Sequence, residues 1–189
     1  MRLLSKTRYS CVYQSNDQRI HKSFTNIKTY KKEVEFLEHL QNFDTVVRLI
    51  GHTNNIVTLE YVPHCLEYLI VSKKLSSKNK IIILKQIANF IIDSHDIGIV
   101  HNDLKAKNIR ICKDLQTVRI IDFDATVWHD NPWNDIKKFR FLIVQMLFNL
   151  DYQTSYKKYD EYVDDLEPKL FRTVDVREIL SLLDELVFP

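Results

Sequence analysis

Four side chains in one stretch have the types and spacing of a reacting site. Asp103 lies two residues before an ammonium, Lys105, and five before a carboxamide, Asn108. A second carboxylate, Asp122, follows a β-type run from Thr117 to Ile121. Carboxylate and amide oxygens joined by a hairpin can hold Mg²⁺, a hard cation that takes oxygen ligands and is usually completed by substrate phosphates. Asp103 would then accept a hydroxyl proton while Lys105 neutralises a phosphoryl group in transit.

The full stretch, His101-Asn102-Asp103-Leu104-Lys105-Ala106-Lys107-Asn108 followed by Asp122-Phe123-Asp124, resembles the catalytic loop H-R-D-L-x-x-x-N and the metal motif D-F-G of protein kinases. The lead-in Ser94 to Val100 also looks like that family's. The resemblance implies an α+β, two-lobed fold: a small antiparallel sheet with one helix, then a mainly helical lobe cut short after the family's helix F. It implies a single domain over 1–189, with an N-terminal lobe to about residue 60, a hinge at 61–65 and a C-terminal lobe from 66. It further implies ATP and Mg²⁺ as cofactors, Asp103 and Lys105 as catalytic residues, and Asn108 and Asp122 as metal ligands. His101 and Asp135 would support the loop.

The elements that must position these groups precede them. Arg2 to Leu4, Tyr9 to Gln14 and Gln18 to Phe24 read as strands, with Ser15-Asn16-Asp17 a turn between the last two. By the resemblance, the first hairpin is the phosphate loop, offering Ser5, Thr7, Ser10 and Val12. The chain has only two glycines, Gly51 and Gly98, so this loop lacks the residue that tolerates positive φ and close phosphate approach. Non-glycine residues in such conformations would cost about 1–2 kcal/mol each. Lys22 stands where the family's strand lysine pairs with a helix glutamate. Thr25 or Asn26 can cap the helix that follows, whose apolar face is Ile27, Tyr30, Val34, Leu37 and Leu40. Glu33 is the expected partner of Lys22, and Glu35, about 200° round the helical wheel, is the runner-up. Val46 to Gly51 and Asn55 to Glu60 read as strands joined by a turn at His52 to Asn54. Leu59 to Pro63 resembles the adenine-binding hinge, with Glu60 and Val62 contributing backbone. A short helix over Cys65 to Val71 and a long one from Ser76 or Ser77 through Asp96 would follow, the latter burying Ile83, Ile87, Phe90 or Ile91 and Ser94. His95 is expected to be a hydrogen-bonded core residue.

Besides the glycine-less hairpin, two positions and one spacing depart from the family pattern. Asn102 replaces an arginine, Asp124 replaces a glycine, and ten residues, 125–134, separate Asp124 from Asp135. That spacing leaves no room for the usual phosphorylation-controlled activation segment. Aspartate tolerates left-handed geometry at 124; it could add a metal ligand or repel a triphosphate. Trp128, His129, Pro132 and Trp133 are expected to pack under the catalytic loop, the alternative being a partner surface. Ile136 to Leu150 reads as a helix, Tyr152 to Tyr162 is undetermined, acidic Tyr159 to Glu167 reads as a solvated loop, and Asp175 to Val187 reads as an amphipathic helix.

Composition sets the remaining bounds. The chain has 189 residues, a net charge of +2 and 45% hydrophobic residues, which suits a globular domain and points to no nucleic-acid partner. The lysines at 73, 74, 78, 80, 137 and 138 read as solvated helix faces. Cysteines 11, 65 and 112 are too dispersed for a disulfide framework and fit a reducing compartment. No signal peptide is evident, and the apolar window Ile81 to Ile92 is too short to span a bilayer. The expectation is therefore a cytoplasmic protein, off the membrane, inside a host cell if viral or an effector, meeting a protein substrate or host regulator. The leading reading is a minimal serine/threonine protein kinase. A small-molecule kinase resembling the aminoglycoside and choline kinases, and a pseudokinase acting as a binding module, stay open.

Overall fold

The structure, a computed structural model, describes residues 1–129, 131–165, 173 and 175–185. Its first lobe is an antiparallel sheet of β1 (Arg2–Lys6), β2 (Ser10–Gln14), β3 (Arg19–Phe24), β4 (Leu49–Thr53) and β5 (Ile56–Glu60), in the order β1-β2-β3-β5-β4. Helix α1 (Ile27–His39) lies against it. Asn26 caps α1 by accepting the N–H of Lys28 at 2.8 Å, and Val34, Phe36 and Leu37 turn inward. The β4–β5 turn falls at Asn54 and Asn55, both at positive φ, one residue later than the sequence pattern predicts. Asparagine accepts that geometry more readily than most residues.

The second lobe begins with β6 (His64–Cys65) and α2 (Leu66–Val71), and is built on α3 (Ser77–Asp96), whose N-terminus Ser76 caps. All the residues expected to face inward from α3 are buried, and Lys80 with them, contrary to its expected solvated place. Burial lowers the Lys80 pKa by penalising the ammonium. Short strands β7 (Ile99–Val100), β8 (Ile109–Ile111), β9 (Val118–Ile120) and β10 (Val127–Trp128) frame the loops at the cleft. Helix α4 (Trp133–Phe148) runs through the lobe with Phe139, Leu142, Ile143 and Val144 buried, and Asn149 ends it in the left-handed conformation.

The stretch after α4 corrects the sequence reading. Tyr152–Asp165 is a helix, α5, not a loop, stacked on α4 through Phe141 against Tyr156 and Tyr159 at centroid distances of 5.6 and 4.2 Å. Ring contacts of Tyr156 and Tyr159 with the buried Phe141 offset the polar composition. The final helix, α6 (Val176–Leu182), packs on α3 and passes into a 3₁₀ turn at Leu183–Glu185. Leu166, Glu167, Leu186 and Val187 of the expected segments lie outside the described residues. The lobes meet through backbone bonds between Val47 and Ile120 (3.1 Å) and between Ile120 and Thr45 (2.7 Å), and through Arg119, which donates to Glu60 at 2.9 Å. No described helix is long and apolar enough to cross a membrane. None of the three cysteines is in a disulfide.

Candidate active site

The interlobe cleft encloses a cavity of about 480 Å³, the size of a small-ligand pocket. Its lining includes Ser5, Thr7, Ser10, Val12, Lys22, Glu33, Glu60, Val62, Asp103, Asn108 and Asp122, so nearly every candidate is brought to one place. Ile20, Val47 and Ile121 supply apolar wall that the sequence did not single out. Lys105 faces a neighbouring cavity on the far side of Asp103.

The upper wall is organised by Lys22. Its Nζ donates to Glu33 Oε2 and to Asp122 Oδ1, both at 2.5 Å, so strand β3, helix α1 and the loop after β9 are tied at one ammonium. Glu33 is the partner, as its helical phase predicts. Glu35 turns away and accepts the indole N–H of Trp128 at 2.8 Å. Although Lys22 is buried, its two carboxylate partners hold its pKa above the usual ammonium value. Burial pushes the Glu33 carboxyl up to about 7, with Asp122 and Asp124 adding to the rise against the pull of Lys22. The Asp124 pKa is likewise raised, by burial first and then by Asp122. Glu33 and Asp122 thus share one ammonium, with a third carboxylate, Asp124, close beside them.

That imbalance tests the site for a cation. Oxygens of Glu33, Asp122 and Asp124 lie within 4.8 Å of one another, and the buried Glu33 Oε1 has no hydrogen-bond partner. Asn108 gives its Nδ2 hydrogens to the Asp103 carbonyl (3.0 Å) and to Asp103 Oδ2 (2.8 Å), leaving Oδ1 as a ligand atom. An all-oxygen, anionic donor set fits a hard divalent cation such as Mg²⁺. Asp122 and Asn108 remain the candidate ligands, and Asp124 joins them. The left-handed residue of the motif is Asp122 itself (φ 72°), not Asp124.

The lower wall is the loop from His101 to Asn108, the one that resembles the kinase catalytic loop. Asp135, fully buried on α4, accepts the N–H groups of His101 and Asn102 at 2.8 Å each and meets His95 Nε2 at 3.1 Å. These bonds hold Asn102 at φ 65°. His101 is buried, accepts the Asp103 N–H at Nδ1 (3.2 Å), and lies 3.3 Å from the Ile121 carbonyl at Nε2. It thereby couples the loop to the Asp122 segment. Asn102 donates to the Ala125 carbonyl and accepts from Asn134, so at the arginine position it joins the loop to the chain entering α4.

Asp103 carries one interaction that the sequence reading misses. Lys105 donates to its Oδ2 at 2.6 Å and Lys138 to its Oδ1 at 3.1 Å. Lys138 is thus no part of a solvated face; it stands one helical turn beyond Asp135, on the same face of α4. That spacing is the signal available in the sequence. Burial raises the Asp103 pKa, but the two ammonium groups outweigh it and hold the carboxyl below its ordinary range.

The phosphate-loop and tryptophan expectations are corrected. No residue from 5 to 10 has positive φ, so the missing glycines cost no backbone strain. Instead Thr7 Oγ1 accepts the N–H groups of Tyr9 (3.2 Å) and Ser10 (3.0 Å), closing the turn on itself and engaging donors a ligand would otherwise meet. The Glu60 carboxylate is committed to Arg48 N–H and Arg119, both at 2.9 Å. Trp128 packs on α1, against Phe36 (5.3 Å) and His39 (5.1 Å), not under the catalytic loop. Trp133 lies against Arg140, and His129 covers Gly98.

Sequence comparison agrees with this geometry. The chain is 30% identical over 118 residues to "Probable serine/threonine-protein kinase fnkB" of Dictyostelium discoideum, covering 59% of this chain and 22% of that protein. It is 31% identical over 101 residues to "Serine/threonine-protein kinase 1" of African swine fever virus, covering 50% of this chain and 34% of the viral protein. It is 26% identical over 118 residues to "Probable serine/threonine-protein kinase RTK1" of Saccharomyces cerevisiae, covering 59% and 19%. The matched part thus spans about a third or less of each relative's length. Residues 5–139, from the first hairpin into α4, match the protein kinase domain, and the chain belongs to that family.

Proposed function

We propose that the chain is an ATP- and Mg²⁺-dependent protein kinase acting on serine or threonine, working without a separate activation loop. The observation that carries this is the convergence of the Lys22–Glu33–Asp122 cluster and the Asp103–Lys105–Asn108 group on one cleft. Phosphoryl transfer needs chiefly positioning and charge stabilisation, and both walls supply these. Lys22, fixed by Glu33, holds the nucleotide phosphates; Asn108, Asp122 and Asp124 hold the cation. Bound Mg²⁺ would neutralise phosphate charge. Asp103, kept ionised by its two lysines, orients the acceptor hydroxyl and takes its proton, while Lys105 follows the transferred group. The serine/threonine assignment rests on Lys105 and on the named relatives.

The direct path from Asp124 through β10 to α4 supports regulation other than by a phosphorylated loop. A protein partner or a constitutively poised state would serve. An intracellular, cytoplasmic setting suits the unpaired cysteines.

Purified chain with Mg²⁺ and labelled ATP should transfer phosphate to protein in a lysate or to itself. Asp122→Ala should abolish transfer while the melting curve persists, and Asp103→Asn should lower it by about 10²-fold or more. Equal rates in the parent and Asp122→Ala would refute the site assignment. Label appearing only on small alcohols would establish the small-molecule reading instead.

A further inference from the structure

The acceptor side of Asp103 is built from lysines. A cavity of about 220 Å³ opens there, walled by Asp103, Lys105, Lys107, Lys138, Glu67 and Tyr152. Lys105 and Lys138 hold the two Asp103 oxygens. Lys107 is mostly exposed and meets Glu67 only at 3.7 Å, beyond hydrogen-bond range. Three ammonium groups therefore face two carboxylates, and one of those carboxylates is occupied with the reacting hydroxyl during transfer. The cavity does not end there. A groove of about 560 Å³ continues from it, sharing Glu67, Lys107 and Tyr152 and running past Tyr68, Val71 and Asp151, so the excess of ammonium groups is confined to the first cavity; Tyr68 and Val71 are 58% and 49% exposed. A compact acceptor would need only the first cavity; a continuous groove with an apolar wall fits an extended chain.

Resting on the kinase reading above, we propose that this cavity and groove are the acceptor site, and that they take an extended peptide whose serine or threonine is flanked by an anionic group, a carboxylate or a phosphorylated side chain. The anion lies against Lys107 and Lys138, and the peptide continues along Tyr68, Val71 and Tyr152. In the transfer step the acceptor oxygen forms a bond to the γ-phosphorus of the nucleoside triphosphate. The bond from that phosphorus to the β–γ bridging oxygen breaks, and the diphosphate leaves with the electron pair. The hydroxyl proton passes to Asp103. Lys138 stays on the opposite oxygen, so Lys105 can follow the phosphoryl group without leaving Asp103 unpaired.

The test uses the full chain loaded with Mg²⁺ and ADP, so that binding is read without turnover. Fluorescent peptides carry one serine flanked by glutamate, phosphoserine, alanine or lysine, and polarisation gives their affinities. Partly exposed ion pairs contribute modestly, so two reversed pairs should separate the glutamate and lysine peptides by roughly tenfold. The gap should shrink between about 0.05 and 0.5 M salt. Lys138→Met should narrow it, and Lys107→Glu should shift preference toward the lysine peptide. The glutamate and phosphoserine arms identify the source of the anion. Equal affinities, or a lysine preference in the parent, would overturn the proposal. So would labelling of small phosphorylated alcohols with no peptide bound. Transfer is assayed separately with ATP. Equal transfer to all peptides sinks the acceptor inference and leaves the kinase reading standing; selective binding without transfer to any acceptor sinks the kinase reading and, with it, the acceptor role, leaving only a peptide-binding groove.

Discussion

Trp128 should decide whether α1 stays docked, and with it the Lys22–Glu33 pair. The indole lies tilted against Phe36 and edge-on to His39, donates to Glu35, and remains 38% exposed. A partly buried tryptophan removes on the order of 150 Å² from water, which at about 25 cal/mol/Å² sets an upper bound near 4 kcal/mol. Residual exposure and a compact unfolded state reduce this, so Trp128→Ala should cost about 2–3 kcal/mol. For a chain of this size that lowers the melting temperature by roughly 4–12 °C. Trp128→Phe keeps the ring contact and loses the N–H, and should cost about 1 kcal/mol. Because Glu33 sits on the same helix as the Trp128 contacts, nucleotide affinity should fall in the order parent, Trp128→Phe, Trp128→Ala. The assays are urea unfolding and nucleotide titration. The chain has two tryptophans, so a Trp133→Phe background makes the fluorescence of Trp128 a direct report on α1. If Trp128→Ala costs under about 0.5 kcal/mol and leaves nucleotide affinity unchanged, Trp128 does not brace α1 and the reasoning fails.

Two further outcomes are expected. Asp135→Ala strands two backbone N–H groups that are now bound at 2.8 Å, at about 1–3 kcal/mol each. Asp135→Asn retains an accepting oxygen and should fold while losing most transfer; full activity in Asp135→Asn would show that the loop holds its shape without the carboxylate. Gly98 has φ 78°, and a Cβ there would lie 2.4 Å from the His129 ring. Gly98→Ala should therefore destabilise by about 1–3 kcal/mol. Adding His129→Ala should recover the steric part and leave roughly 1 kcal/mol for the backbone; simple additivity in that double-mutant cycle would mean the ring moves aside freely.

How much was legible in the sequence differs from residue to residue, for physical reasons. Asp103 and Asn108 could be singled out by their close spacing, and Asp122 by its place after a β-type run in the motif it resembles; the fold brings all three to one cavity. Glu33 rather than Glu35 followed from helical phase, while cap chemistry left Thr25 or Asn26 and Ser76 or Ser77 open, and the fold selects Asn26 and Ser76. Lys138 was not read, although Asp135 one turn earlier was, because a lysine on a helix is ordinarily solvated. Only the placement of α4 beside the catalytic loop brings its ammonium to Asp103. The same holds for Trp128, whose partners come from α1, about ninety residues earlier, and for Tyr152–Asp165, whose polar composition hid a helix held by aromatic contacts with α4. The glycine-poor first hairpin implied strain that the fold avoids, because the Thr7 hydroxyl closes the turn at negative φ. Local spacing and capping are properties of the chain and can be read along it. The sharing of Lys22 among three elements, the excess of carboxylates around it and the lysine-lined cavity beside Asp103 arise from contacts between distant segments. Tertiary packing alone decides which of those segments meet.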